Sequence, residues 1–194
     1  MRQRGILTRD QVELLLSACG DSYSGRRDAA LLAVCYRTGL RPGEALGLDF
    51  SSFRAENGTF RVRVERPKGW QRADHPTPPR EIGLDDRCAN TFRAWLEARG
   101  AKPGPLFTNR KGGRVSGRYW RAQVAKLGRR AGLEGRVHPH GLRHSFAHDA
   151  FRETRDPILV QKALGHSDLK TSLIYLSQIG SSEEVVEFTT NRRW

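Results

Sequence analysis

The chain has 194 residues, with 34 Lys and Arg against 21 Asp and Glu, a formal net charge of +13. That length reads as one main domain, and 37% hydrophobic residues are enough for a core that needs no disulfide or metal. No run of about 18 apolar residues occurs and no charged-then-apolar leader opens the chain, so membrane-spanning and exported classes give way to a cytoplasmic one.

Thr8 and Gln11 have capping-box spacing, and Val12, Leu15, Leu16 and Cys19 follow on one apolar face, which predicts a helix opening at Thr8. A second helix is predicted from about Arg26 to Thr38, stopped by Gly39, and a short helical turn spans Pro42 to Leu46. The period then changes. Phe60, Val62 and Val64 alternate with Arg61, Arg63 and Glu65, the pattern of a half-buried strand. An Asn57-Gly58 turn joins it to an earlier strand expected around Phe50 to Arg54. After a Pro-rich loop (Pro76, Pro78, Pro79), Arg80 to Leu84 supplies a third short strand.

From Asp85 onward the pattern reads as helical throughout. Cys88, Phe92, Trp95 and Leu96 share one face, and Ser116 opens a helix with Trp120, Val124 and Leu127. A helix from about Pro139 to Arg152 is expected to bury Leu142, Phe146 and Ala150. Asp156-Pro157 starts another that Gly165 ends, and Ser167 caps a last helix carrying Tyr175. Cys19, Cys35 and Cys88 are odd in number and sit in apolar patterns, so they read as buried thiols. The fold class that results is mainly α with a small three-stranded antiparallel β-sheet.

The positive charge points to a polyanion. Of the basic residues 28 are Arg and 6 are Lys. A guanidinium fork grips phosphate oxygens in pairs, and although coding bias can raise the Arg share, it does not produce the net charge. Four places could carry chemistry. Arg41 stands at the tight junction after Thr38-Gly39-Leu40. Lys68 is the one Lys before residue 102, at the tip of the sheet. His140 and Arg143 are three apart at a helix start, where both can face a bound anion. Leu164-Gly165-His166 is followed nine residues later by Tyr175. Each alone has an ordinary structural reading: an ion-paired helix end, a solvated lysine, an amphipathic tyrosine. His140, His144 and His148 are also spaced i, i+4, i+8, which raises zinc. No HExxH string or suitably spaced acidic or Cys ligand accompanies them, so no metal is assigned.

Taken together, the strings TGLRPGEAL, HPHGLRHSFA, LGHSD and TSLIY resemble the tyrosine recombinase, or phage integrase, family, from about Thr8 to Tyr175. The resemblance implies the catalytic core of a DNA breaking-rejoining enzyme over residues 1–177, with Arg41, Lys68, His140, Arg143, His166 and Tyr175 as its active site. It implies a tyrosine nucleophile, a 3′-phosphotyrosyl intermediate, no cofactor and no ATP. His140 would accept the tyrosine proton, His166 would donate to the phosphate and Lys68 would protonate the leaving 5′ oxygen. Two departures stand out: a Pro-rich loop follows Lys68, and His148 and Asp149 occupy places where the family commonly has Thr and His.

The implied partners are duplex DNA, further copies of the chain forming a tetramer on paired DNA sites, and accessory DNA-bending proteins. The core-binding domain that relatives carry ahead of the catalytic one is not expected in this chain. Residues 178–194 resemble a tail that docks on a neighbouring subunit, and they equally fit a helix packed on its own core. A type IB topoisomerase and a non-catalytic DNA-binding remnant are the rival functions.

Overall fold

The computed structural model describes residues 5–56, 59–65 and 79–164. Lys68, His166, Tyr175, the Asn57-Gly58 turn, the helix expected after Ser167 and the tail 178–194 lie outside the described residues. Seven α-helices and one three-stranded sheet are described: α1 (Arg9–Ser17), α2 (Tyr23–Thr38), α3 (Pro42–Gly47), β1 (Phe53–Glu56), β2 (Thr59–Val64), β3 (Arg80–Leu84), α4 (Asp86–Arg99), α5 (Gly117–Arg130), α6 (Pro139–Thr154) and α7 (Pro157–Leu164).

Local chemistry sets most of these boundaries. Thr8 caps α1 in a capping box with Gln11. Ser22 Oγ accepts from Gly25 N, so α2 starts three residues earlier than its apolar periodicity suggests. Gly39 ends α2 in the left-handed region at φ 62°. Asp85 caps α4, Ser116 caps α5, and the Asp156 carboxylate accepts from Ile158 N and Leu159 N at the start of α7.

Helix α2 runs through the centre. Leu31, Leu32, Val34 and Cys35 are buried in one core with Trp95, Phe92, Trp120, Val124 and Leu142. The sheet has the order β1-β2-β3, antiparallel throughout, with Val62 opposite both Phe53 and Ile82. Phe60, Val62 and Val64 face inward while Arg61 and Arg63 stay exposed. Phe53 stacks on Phe60 at 5.1 Å and meets Phe92 of α4 at 4.7 Å, which fastens the sheet to the helices. All three cysteines are buried and unpaired, and burial pushes each thiol up to about 12.

Three expectations need correction. Phe50 to Ser52 form a 3-10 turn, and the strand begins only at Phe53. The Ser52 hydroxyl accepts from Asp49 N and Ser52 N donates to Asp49 O, a local pairing that competes with the sheet. The segment between α4 and α5 is an ordered non-helical loop, contrary to a helical reading of everything after Asp85. It is held by bridges Asp49↔Pro105 and Thr108↔Arg114 and by the buried Leu106, Phe107 and Val115. Buried Arg27 anchors it, donating to Thr108 O at 3.2 Å, to Tyr119 Oη at 2.8 Å and twice to Asp28 Oδ1. Lastly, Leu142 is fully buried, but Phe146 and Ala150 are only partly so, packing in a smaller cluster with Val160 and Leu164.

Candidate active site

Arg41 occupies the two-residue step between Gly39 and Pro42. Pro42 is the first residue of α3 and disfavours helical backbone at the residue before it, so Arg41 takes an extended conformation as the N-cap. The Glu44 carboxylate accepts from Arg41 N at 2.8 Å and from Arg41 Nη1 at 3.3 Å. The ion-paired helix end expected of a lone arginine is thus present here. Glu44 also receives the fork of Arg80, Nη2 at 2.9 Å and Nη1 at 3.4 Å; burial raises the pKa of this carboxylate, but the contacts of Arg80 and then of Arg41 together outweigh it, so its pKa lies below the ordinary value.

The start of α6 supplies the second group. His138 is the N-cap, its Nδ1 accepting from Gly141 N at 3.0 Å, and Pro139 follows at the first helical position. His140 is exposed, whereas Arg143, one turn on, is 4% exposed. Arg143 Nη1 donates to Gly39 O at 2.5 Å and Nη2 to Leu164 O at 3.1 Å. It therefore ties the end of α2, two residues before Arg41, to the end of α7, two residues before His166. Ser145 is buried beneath, accepting from Leu7 N at 2.7 Å and donating to Gly141 O at 2.9 Å, which pins the chain before α1 across the first turn of α6.

The described part of the site is strongly cationic. Partial desolvation and then the fields of His138, Arg143 and Arg41 hold His140 below its ordinary pKa of 6.5. His144 is lowered by desolvation and then by His138, His140 and Arg143. A histidine held neutral near pH 7 beside arginines can accept a proton while they bind an anion. Farther along α6, Asp149 accepts from Tyr36 Oη at 2.6 Å and lies 3.3 Å from His148 Nδ1, so the unusual His148-Asp149 pair is engaged with α2.

Arg41, His140 and Arg143 are thus brought into one electrostatic neighbourhood. The sequence reading assigned no role to Glu44 or Arg80. Glu44 could have been noticed three residues after Arg41, the spacing of a cap partner. Nothing local signals Arg80, which is 36 residues from Glu44 and meets it only through the fold. Helix α5 adds an exposed basic face of Arg118, Arg121, Lys126, Arg129 and Arg130, with no acidic residue in the helix.

Comparison with known proteins shows the family. A model of the phage integrase family matches residues 6–179. The chain is 36% identical over 166 residues to the tyrosine recombinase XerC of Azotobacter vinelandii, covering 84% of this chain and 52% of that protein. It is 35% identical over 171 residues to XerC of Shewanella oneidensis, covering 87% and 53%. Among solved structures it resembles the XerH site-specific recombinase bound to difH substrate in a pre-cleavage complex, with TM-score 0.73 and 31% identity over 89% of this chain and 50% of that one. The chain spans about half the length of the curated relatives it matches.

Proposed function

This chain belongs to the phage integrase family, and on that premise we propose that it is the catalytic core, residues 1–177, of a site-specific recombinase that cuts and rejoins duplex DNA. The observation that carries the reading is the gathering of Arg41, His140 and Arg143 from α2–α3 and α6 around one cationic neighbourhood, in a chain whose continuation supplies His166 and Tyr175.

The chemistry follows from the charges. In-line attack of the Tyr175 hydroxyl on a phosphodiester forms an O–P bond and breaks the bond to the 5′ oxygen. Negative charge gathers on the non-bridging oxygens, and donors from Arg41, Arg143 and His166 hold it. His140, neutral near pH 7, takes the tyrosine proton, and Lys68 gives one to the departing 5′ oxygen. The ester survives as a 3′-phosphotyrosyl link, so attack by another strand's 5′ hydroxyl rejoins DNA without ATP or a metal. The exposed basic face of α5 supports duplex DNA as the partner. Exchange between two duplexes calls for several copies of the chain on paired sites, with residues 178–194 as the docking tail and DNA-bending proteins assisting.

The test is covalent capture. The 194-residue chain is incubated with a pool of nicked duplexes with randomised arms, and SDS-stable, protease-sensitive adducts are recovered and sequenced. Adducts should form in excess EDTA and vanish in Tyr175→Phe. An undiminished adduct in Tyr175→Phe, or one lost in EDTA and restored by zinc, would overturn the mechanism. Relaxation of supercoiled DNA lacking the recovered sequence, without strand exchange, would favour a topoisomerase.

A further inference from the structure

Glu44 is a single buried carboxylate shared by two arginines, and it divides itself unequally between them. Arg80 gives it two fork contacts, at 2.9 and 3.4 Å, while the guanidinium of Arg41 reaches it at 3.3 Å. The side chains are 7% exposed for Glu44, 12% for Arg80 and 27% for Arg41, so the group most open to solvent is the one assigned to the phosphate. Without Arg80 the Glu44 carboxylate would be unshared, and a guanidinium beside an unshared carboxylate is drawn more fully onto it.

Arg80 is more than an incidental surface partner. Its Nε is buried with no hydrogen-bond partner among the described residues, a cost that a solvated tether does not carry. It is also the first residue of β3, opposite Val64 at the end of β2, so it stands at the root of the segment that includes Lys68.

We propose that Arg80 is a positioning residue for Arg41. By taking the larger share of Glu44 it keeps that carboxylate from drawing Arg41 fully onto it, so the Arg41 guanidinium stays placed to meet a phosphodiester. The same contact fastens the start of β3 to α3. This inference rests on the recombinase reading for its consequence and on the geometry alone for its mechanism.

Two readouts separate those layers. The first is the Arg41 Nε–H resonance in arginine-labelled protein, assigned by its loss in Arg41→Lys and followed with and without inorganic phosphate. In phosphate-free Arg80→Met the resonance should move as Glu44 captures Arg41, and its response to phosphate should weaken. Adding Glu44→Gln, which keeps an acceptor for Arg41 N but removes the charge, should return both toward wild type. The second readout is the adduct rate on the duplex recovered above. Arg80→Met should lower it roughly 10²-fold, as small misplacements of positioned groups do. The double variant should regain about ten-fold, a coupling typical of residues in one network. Arg80→Lys, which keeps the charge, should stay within a few-fold of wild type.

A staple that only joins β3 to α3 gives the opposite pattern: an unmoved Arg41 resonance, Arg80→Lys as impaired as Arg80→Met, and no gain from Glu44→Gln. That pattern would overturn the inference. If wild type forms no adduct, the recombinase reading fails while the resonance experiment still decides the role of Arg80.

Discussion

Arg143→Ala should destabilise the fold before it reports on catalysis. The guanidinium is 4% exposed and donates to two carbonyls, Gly39 O and Leu164 O. Hydrogen bonds from a charged donor are worth about 1.5–3 kcal/mol each, so losing both removes roughly 3–6 kcal/mol and strands two acceptors among α2, α6 and α7. Against a total stability of about 5–15 kcal/mol that is a large fraction. With an m-value of about 2 kcal/mol/M, the urea midpoint should fall by roughly 1.5–3 M. Arg41→Ala is the internal control. Its side chain is 27% exposed and Arg80 still holds Glu44 when it is removed, so the cost should be smaller, about 1 kcal/mol. Equilibrium urea unfolding of the three proteins, read by tryptophan fluorescence, checks both. Equal midpoints for Arg143→Ala and Arg41→Ala would refute the reasoning and make the buried contacts of Arg143 energetically silent.

Two further outcomes follow from the same region. Ser145→Ala leaves Leu7 N without its buried acceptor and should cost about 1–3 kcal/mol, with faster amide exchange at Leu7; unchanged exchange there would count against the pinning of this segment to α6. His140 and His144 both titrate lower in the folded protein than in the unfolded chain, so the unfolded chain takes up protons first as the pH falls. Their share of stability is present above the unfolded value of 6.5 and is lost as the pH falls through their folded values, a slope that a His140→Gln/His144→Gln variant should flatten in urea midpoints. A slope that survives both substitutions belongs to other groups.

What was legible in the sequence was what short-range chemistry decides. Thr8, Ser116 and Asp156 are caps whose partners lie two or three residues away, and β2 declares itself by strict alternation. The 101–116 loop was misread because its order comes from Arg27, 81 residues from Thr108, and from the bridge Asp49↔Pro105, which no window contains. In the site, Arg41, His140 and Arg143 were legible as a pattern. Their division of labour was not. The inward turn of Arg143 onto two carbonyls and the sharing of Glu44 with Arg80 are products of helix packing, which periodicity cannot express.

The spacing between the two arginines depends on a side chain that is missing. At Gly39, with φ 62°, a Cβ would stand 2.3 Å from Phe146 Cδ1 of α6 and 2.9 Å from Leu164 Cδ2 of α7. Only hydrogen at that point lets α6 and α7 close on the end of α2. The same residue closes α2 by donating to Cys35 O and turns its own carbonyl toward Arg143. Two residues later the chain, extended by Pro42, presents Arg41. One glycine therefore ends a helix, admits two others and sets the backbone from which Arg41 and Arg143 both take their positions. Donors that must meet charge only as it develops stabilise it most when they do not have to move, and here a backbone carbonyl holds Arg143 while a buried carboxylate holds Arg41.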